Sequence, residues 1–474
     1  MRTNKNNHTN TEEKGRVKAM FTANSIRNKL RFRPSPPQVM AFGFILIIFL
    51  GAELLSRPIS YTNDHAIPFI DALFMSASAT CVTGLTVLSP GIHLSSFGQV
   101  VMILLVQIGG LGFMTMATLF ALLFRKRISF RERLVLKESM NYGQTEGIVR
   151  LIRKVLLYAL VIELTGAFLL SVYFMTEMPV SKAVYFGVFH SISFFNNAGF
   201  DLFAQFPERA GSLIHYVEDP FINIVSMLLI FFGGIGFIVI SEIVTFPKNR
   251  KFSLHSKVVL SVTGILTVFG AIVILMLEFS NPDTLEPLSA SGKVLGSFFQ
   301  SVTARSAGLS TIDPSSLREV TQFFLILLMF IGAGPGSTGG GIRVTTFAIL
   351  IGAMIAMIRG RDDVILFRFR IAKQQIHQAI MFTMIAFTII CTAAMALSIT
   401  ERGSFLAILF EATSAYCTVG MSAGLTDHIT DIGKIILILL MFVGRLGPVT
   451  LAFALNTGSK KELYRFPEGK ITIG

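Results

Sequence analysis

The sequence predicts an all-α integral membrane protein. It is read as four pseudo-repeated M1–P–M2 hairpins (eight transmembrane helices and four re-entrant pore helices) around one central pore. Three observations predict this. The 474-residue chain is 52% hydrophobic and 15% charged, with a mean hydropathy of +0.66, whereas a soluble domain carries about 25% charge. Apolar runs near or above about 18 residues recur along its length. Finally, four unlike segments align on a glycine: Thr80-Cys81-Val82-Thr83-Gly84-Leu85, Phe195-Asn196-Asn197-Ala198-Gly199-Phe200, Ala304-Arg305-Ser306-Ala307-Gly308-Leu309 and Tyr416-Cys417-Thr418-Val419-Gly420-Met421.

Each glycine is followed by a large apolar residue and preceded, ten positions earlier, by Phe74, Phe189, Phe298 or Phe410. About 25 to 35 residues later comes a second glycine-rich signal: Gly109-Gly110-Leu111-Gly112, Gly233-Gly234-Ile235-Gly236, Gly332-Ala333-Gly334 and Gly444-Arg445-Leu446-Gly447. One unit is written four times.

In chain order, 1–34 is a basic arm with too few large apolar residues to bury a core. Repeat one (35–127) has spans over 38–56 and 94–124. Between them an apolar stretch, 67–79, is too short to cross a bilayer as a helix. Pro68 suits its first turn. Repeat two (128–247) has spans near 153–175 and 220–246 and a short helix over 181–194. Repeat three (248–358) has spans near 257–278 and 320–357 and a short helix over 290–303. Repeat four (359–456) has spans near 376–399 and 431–456 and a short helix over 403–415. A short basic tail, 457–474, closes the chain.

Charge placement supports this count. Arg125, Lys126, Arg127, Arg131, Arg133, Lys248, Arg250, Lys251, Arg359, Arg361, Arg368 and Arg370 lie between repeats. Asp64, Asp201, Glu208, Glu218, Asp219, Asp283, Glu286 and Asp427 lie within the repeats, flanking the short helices. The positive-inside rule therefore puts both termini in the cytoplasm and brings the glycine segments in from outside. It also explains the net charge of +13 without nucleic acid. Cys81, Cys391 and Cys417 sit in apolar stretches and form neither a disulfide framework nor a metal spacing. No catalytic pairing recurs with the repeats, so an enzyme is not expected.

Irregular backbone at membrane depth needs protein or water to satisfy it. Four such loops meeting on one axis can replace a cation's hydration shell with carbonyl oxygens. Glycine permits the required backbone angles, and short helices entering from outside turn their negative ends toward the centre.

These repeats and single-glycine segments resemble the Trk/Ktr/HKT superfamily of potassium transporters over essentially 35–456. The eight spans and basic arm look most like the KtrB-type membrane subunit of a Ktr potassium uptake system. The resemblance implies a selectivity filter that holds K+ on backbone carbonyls of Cys81, Val82, Thr83 and Gly84; Asn196, Asn197, Ala198 and Gly199; Arg305, Ser306, Ala307 and Gly308; and Cys417, Thr418, Val419 and Gly420. It implies a homodimer in a bacterial plasma membrane, on a KtrA-like RCK/KTN-type cytoplasmic ring. That ring, rather than this chain, would bind a regulatory nucleotide, ATP/ADP or NAD-type. No covalently bound cofactor is expected, and sodium coupling stays open.

The segment 332–341 resembles that family's intramembrane loop. Gly332, Gly334, Gly336, Gly339, Gly340 and Gly341, with Pro335, Ser337 and Thr338 among them, preclude a continuous helix. It reads as a gate, or else a static kink. Its literal G-x-G-x-x-G follows a membrane span, not a strand, and is a chance match. Arg445 aligns with Gly110, Gly234 and Ala333; an intramembrane cation there is read as part of the gate, pairing with loop carbonyls, or else as one half of a salt bridge to a carboxylate elsewhere. Arg305 is expected to point away from the axis and brace its segment against Glu411 or another carboxylate. Asp71, Glu163, His190 and Glu242 are intramembrane polar groups of unassigned role. A secondary transporter of another small solute or cation is the alternative, but it calls for two inverted repeats.

Overall fold

The computed structural model describes residues 35–62, 67–112, 115–116, 118–119, 130–139, 147–206 and 211–447. The arm 1–34 and the tail 457–474 lie outside these residues.

Among the described residues, four helices are long and apolar enough to cross a membrane: α1 (Pro36–Leu55), α5 (Ile148–Phe174), α9 (Leu254–Glu278) and α13 (Lys373–Thr400). They match the first span expected in each repeat within a few residues. Their outward faces expose Phe42, Leu46, Phe168, Met276 and Phe387, as a lipid-facing stripe requires. Against each packs a short helix: α2 (Phe69–Cys81), α6 (Val180–Phe195), α10 (Ala290–Thr303) and α14 (Phe405–Tyr416). Thirteen residues of α2 reach only about 20 Å, short of a ~30 Å hydrocarbon core. Pro68 is the N-cap of α2 rather than a residue of its first turn. Ser289 and Ser404 cap α10 and α14 by accepting the Gly292 and Ala407 amide protons.

The second spans depart from expectation. Unbroken helices over 94–124, 220–246 and 431–456 are not what forms. Helix α3 (Ser96–Leu111) ends at Gly112, α7 (Pro220–Gly234) turns at Gly236, and α15 (Asp431–Leu446) ends at Gly447. In repeat two the chain resumes as α8 (Phe237–Asn249), with the two halves bent by 105°. The breaks fall at glycines: Gly112, Gly236 and Gly447 adopt φ of 83°, 94° and 81° with ψ of 132°, 144° and 139°, outside any helical region. Residues 448–456 and most of 113–127 lie outside the described residues.

Repeat three also divides, into α11 (Glu319–Ile331) and α12 (Val344–Ile358), with the glycine-rich loop between. Helix α4 (Phe130–Ser139) precedes α5. Among the described residues, a small departure from an all-α fold joins α12 to α13: β1 (Ile365–Leu366) pairs antiparallel with β2 (Phe369–Arg370).

Packing runs cyclically. Helix α3 packs on α6, α7 on α10, α11 on α14, and α15 back on α2. Each second helix therefore touches the short helix of the following repeat, and the last closes on the first. That closing contact carries an ion pair, Lys434 Nζ to Asp71 Oδ1 at 2.6 Å, with both side chains about 15% exposed.

Candidate functional site

The short helices deliver the four glycine segments to a common place. After α2, α6 and α14 the chain enters the left-handed region at Val82, Asn197 and Thr418 (φ 58°, 57° and 50°). It then takes a second positive φ at Gly84, Gly199 and Gly420. Gly84 and Gly420 donate their amide protons to the Ser78 and Ser414 hydroxyls at 3.1 and 3.0 Å. The serine of the short helix thus fixes its own loop.

The segments touch one another in cyclic order. A Cβ built on Gly84 would lie 2.5 Å from the Ala198 carbonyl oxygen, and one on Gly199 2.7 Å from that of Ala307. One on Gly308 would lie 2.1 Å from the Val419 oxygen, and one on Gly420 2.0 Å from that of Thr83. Each glycine faces the carbonyl just before the next repeat's glycine, and the fourth faces the first. Side chains are excluded there by backbone, which explains why glycine recurs while its neighbours vary. Cys81, Val82, Thr83, Asn196, Asn197, Ala198, Ser306, Ala307, Cys417, Thr418 and Val419 are all buried.

Repeat three is one residue shorter. Ser76 and Ser191 bond the first helix at the Ile48 and Glu163 oxygens from eight positions before their glycines. Ser301 bonds Thr267 O from only seven positions before Gly308. Ser193 and Thr303 repeat the offset on the Phe200 and Leu309 oxygens. The missing residue removes the left-handed step, so Ser306 is absent from the positive-φ set. It also corrects an alignment: the fully buried equivalent of Phe74, Phe189 and Phe410 is Phe299, while Phe298 is only half-buried.

Arg305 points away from the axis, but not toward Glu411. Its Nη2 donates to the Thr267 hydroxyl at 3.0 Å. Glu411 holds its own repeat, accepting the Thr426 hydroxyl at 2.9 Å and that of Ser422.

Beneath the glycines lies the loop 332–341. The chain leaves at Gly332 and returns beside it: a Cβ on Gly332 would lie 2.7 Å from the Gly341 Cα. The loop is pinned to repeat two, with Gly334 N to Gly234 O at 2.8 Å, Thr338 N to Gly233 O at 3.2 Å and Phe237 N to Gly336 O at 3.0 Å. The Thr338 hydroxyl lies 2.7 Å from the Asn197 side-chain amide, coupling loop to glycine segment. Arg445 reaches in from α15 and donates to Thr338 O, to Gly109 O and, at 3.2 Å, to Gly110 O. The last two are terminal carbonyls of α3, where a helix carries partial negative charge. Counted from the hinge, Arg445 corresponds to Gly110, Gly234 and Gly341, two residues before Gly112, Gly236 and Arg343; Ala333 lies inside the excursion.

Arg343 belongs to the same site, although the sequence does not single it out. It has φ 79° and ψ 137°, the conformation of the three hinge glycines, at a cost of about 1–3 kcal/mol for a residue with a Cβ. Its Nη1 donates to Gly339 O and, at 3.4 Å, to Gly334 O. The count from Gly341 would have shown an arginine where other repeats have glycine.

The unassigned polar groups have structural partners. The Glu163 carboxylate accepts from Gln107 at 3.0 Å and Asn196 at 3.1 Å, so three elements meet behind one glycine segment. His190 Nδ1 lies 2.7 Å from Phe186 O, and its Nε2 accepts from Leu202 N at 3.2 Å. Asp71 pairs with Lys434. Glu242 accepts from Ser253 N at 2.9 Å. Two carboxylates not singled out from the sequence, Glu278 and Glu401, tie the ends of α9 and α13 to Arg318 N and Thr430 N, each at 3.0 Å. No His/Cys/Asp/Glu cluster among the described residues could hold a metal ion.

A helical protein with membrane-length apolar helices, whose focus is a cyclic set of backbone carbonyls and glycines, fits the class of ion transporters. The chain is a member of the TrkH family of cation transport proteins, which it matches over residues 20–462, and is not an enzyme. It is 41% identical to Ktr system potassium uptake protein B of Bacillus subtilis, covering 93% of this chain and 97% of that one. It is 38% identical to the potassium/sodium uptake protein NtpJ of Enterococcus hirae over 95% and 99%. The crystal structure of the potassium transporter TrkH from Vibrio parahaemolyticus superposes with a TM-score of 0.66 at 19% identity, covering 88% of this chain and 85% of that one. This last likeness bears on the fold.

Proposed function

We propose that the chain is the potassium-conducting membrane subunit of a Ktr-type uptake system. The observation that carries the reading is the cyclic closure of Gly84, Gly199, Gly308 and Gly420 on their neighbours' carbonyls. Such a ring replaces a cation's hydration shell with backbone oxygens. Potassium is taken from the names of the similar proteins; sodium, in one of those names, is a candidate coupling ion.

In this reading eight spans and four re-entrant helices surround one pore, with each broken second helix counted as one span. The basic residues between repeats support cytoplasmic termini, and the bacterial relatives support a bacterial plasma membrane. An ion enters from outside, exchanges water for carbonyls at the four segments, and moves inward down the membrane potential, about 2.3 kcal/mol per charge per 100 mV. The loop 332–341 and Arg445 lie on its exit path. The Arg445 cation opposes passage electrostatically, and its bonds to Thr338, Gly109 and Gly110 hold the loop across the opening. Opening requires these bonds to exchange for water. The subunit works as a homodimer on a KtrA-like RCK/KTN-type ring whose nucleotide sets the loop's position.

The test is potassium flux into liposomes holding the purified protein, with and without sodium, beside growth of a potassium-uptake-deficient strain at low potassium. Potassium flux and restored growth are expected. A well-expressed protein that gives neither overturns the proposal.

A further inference from the structure

We infer that Arg343 is a positioning residue that latches the loop 332–341 shut across its own strained hinge. The inference rests on the reading of that loop as the gate. Everything local opposes an arginine at this position. Gly112, Gly236 and Gly447 have φ of 81–94° and ψ of 132–144° at the corresponding hinges, and Arg343 adopts nearly the same angles, φ 79° and ψ 137°. That region suits a residue without a Cβ. Arg343 is also the N-cap of α12 and makes no side-chain cap bond. A guanidinium has no acceptor for the free amide protons of that first turn and sits at the positive end of the helix dipole.

What favours the residue is the loop alone. Its guanidinium donates to Gly339 O and Gly334 O, the far limb and the near limb of the excursion. Gly334 is also the point at which the loop bonds repeat two, through Gly234 O at 2.8 Å. The carbonyl preceding Gly339 in the chain, Thr338 O, is held by Arg445 from repeat four. Two arginines on different helices therefore hold consecutive carbonyls of one glycine-rich strand. Arg445 ties the strand to a neighbouring repeat, whereas Arg343 ties it to the hinge from which the loop springs. When the loop moves, Arg343 loses its acceptors and its backbone is free to leave the strained region. Closed and open states are thus balanced by opposing terms at one residue, as a switch requires.

The test compares Arg343→Gly, Arg343→Asn and a deletion of 337–339 in liposomes without any partner subunit, using rubidium flux. Hydrogen exchange is followed at Ala333, Gly334 and Thr338, whose amide protons bond Gly340 O, Gly234 O and Gly233 O. Asparagine keeps a Cβ at the strained hinge, as arginine does, but is too short to reach the loop, so it removes the latch without relieving the hinge and keeps the test open should the glycine variant fold poorly. The latch predicts that both substitutions raise flux about fivefold or more and speed exchange at these amides, with thermal stability of Arg343→Gly unchanged or higher. Unchanged flux and exchange in both, or a lower Tm with no gain in flux, overturns it. If the deletion raises flux and the substitutions do not, the latch alone fails. If the deletion itself leaves flux unchanged, the gate reading fails as well.

Discussion

Gly420→Ala is the sharpest probe of the glycine ring. Gly420 has φ +94°, and a Cβ there would lie 2.0 Å from Thr83 O and 2.9 Å from both Thr83 C and Gly84 Cα. All three are backbone atoms, so none can swing aside as a side-chain end would. Left-handed backbone costs a residue with a Cβ about 1–2 kcal/mol, and overpacking a filled site costs about 1–3 kcal/mol. The total, about 2–5 kcal/mol, must be met by moving repeat one's carbonyl away from its place in the ring. If about 1.4 kcal/mol of it falls on the potassium-occupied state relative to sodium, discrimination drops about tenfold. The same construction orders the other three: the Cβ contacts are 2.1 Å at Gly308, 2.5 Å at Gly84 and 2.7 Å at Gly199. Rubidium and sodium fluxes in liposomes, measured on four single alanine variants, give the ratio for each. The expected order of damage is Gly420 and Gly308, then Gly84, then Gly199. Wild-type discrimination in Gly420→Ala, or greatest damage at Gly199, would refute the reasoning.

Arg445→Ala removes three carbonyl bonds and the cation beneath the ring; at about 1.5–3 kcal/mol per charged bond, at least a tenfold gain in basal flux is expected in the same liposomes. Asp71→Asn should lower stability by about 1–3 kcal/mol, between the values for exposed and buried pairs, because it removes the ion pair at the contact closing repeat four on repeat one and leaves Lys434 only the exposed Asp431 carboxylate of its own helix, at 3.1 Å. Thermal unfolding in detergent measures this, and Asp71→Asn combined with Lys434→Met should recover part of the loss. Glu411→Gln leaves one oxygen for the Ser422 and Thr426 hydroxyls, and a loss of about 1–3 kcal/mol is expected by the same melt. Were Glu411 instead a counter-ion for Arg305, Arg305→Met would rescue that variant; no rescue is expected, since Arg305 bonds Thr267.

Much of the architecture was legible because its signals are local. Hydropathy located α1, α5, α9 and α13, since a helix facing lipid must be apolar over its whole length. The short helices followed from stretches too brief to cross, and the four glycines from recurrence alone. The breaks are less legible. Gly112, Gly236 and Gly447 stood in the sequence, but a glycine in an apolar run is compatible with a helix until the partner that makes it bend is known. In repeat two that partner is the loop, whose Gly336 O accepts from Phe237 N at 3.0 Å. Counting back from Gly308 selects Phe298, because counting assumes equal lengths; the shortened turn of repeat three makes Phe299 the buried one.

The sequence by itself determined the class of protein, the number of glycine segments, the site of the glycine-rich loop and the presence of a cation at Arg445. These depend on composition and periodicity, which act along the chain. The tertiary structure alone decided which groups meet. It set each glycine against the next repeat's carbonyl, turned Arg305 to Thr267, paired Asp71 with Lys434, and placed Arg343 in a glycine's backbone conformation to hold Gly339. Such contacts join residues far apart in sequence, and they arise only when cyclic packing brings four separate helical units to one centre.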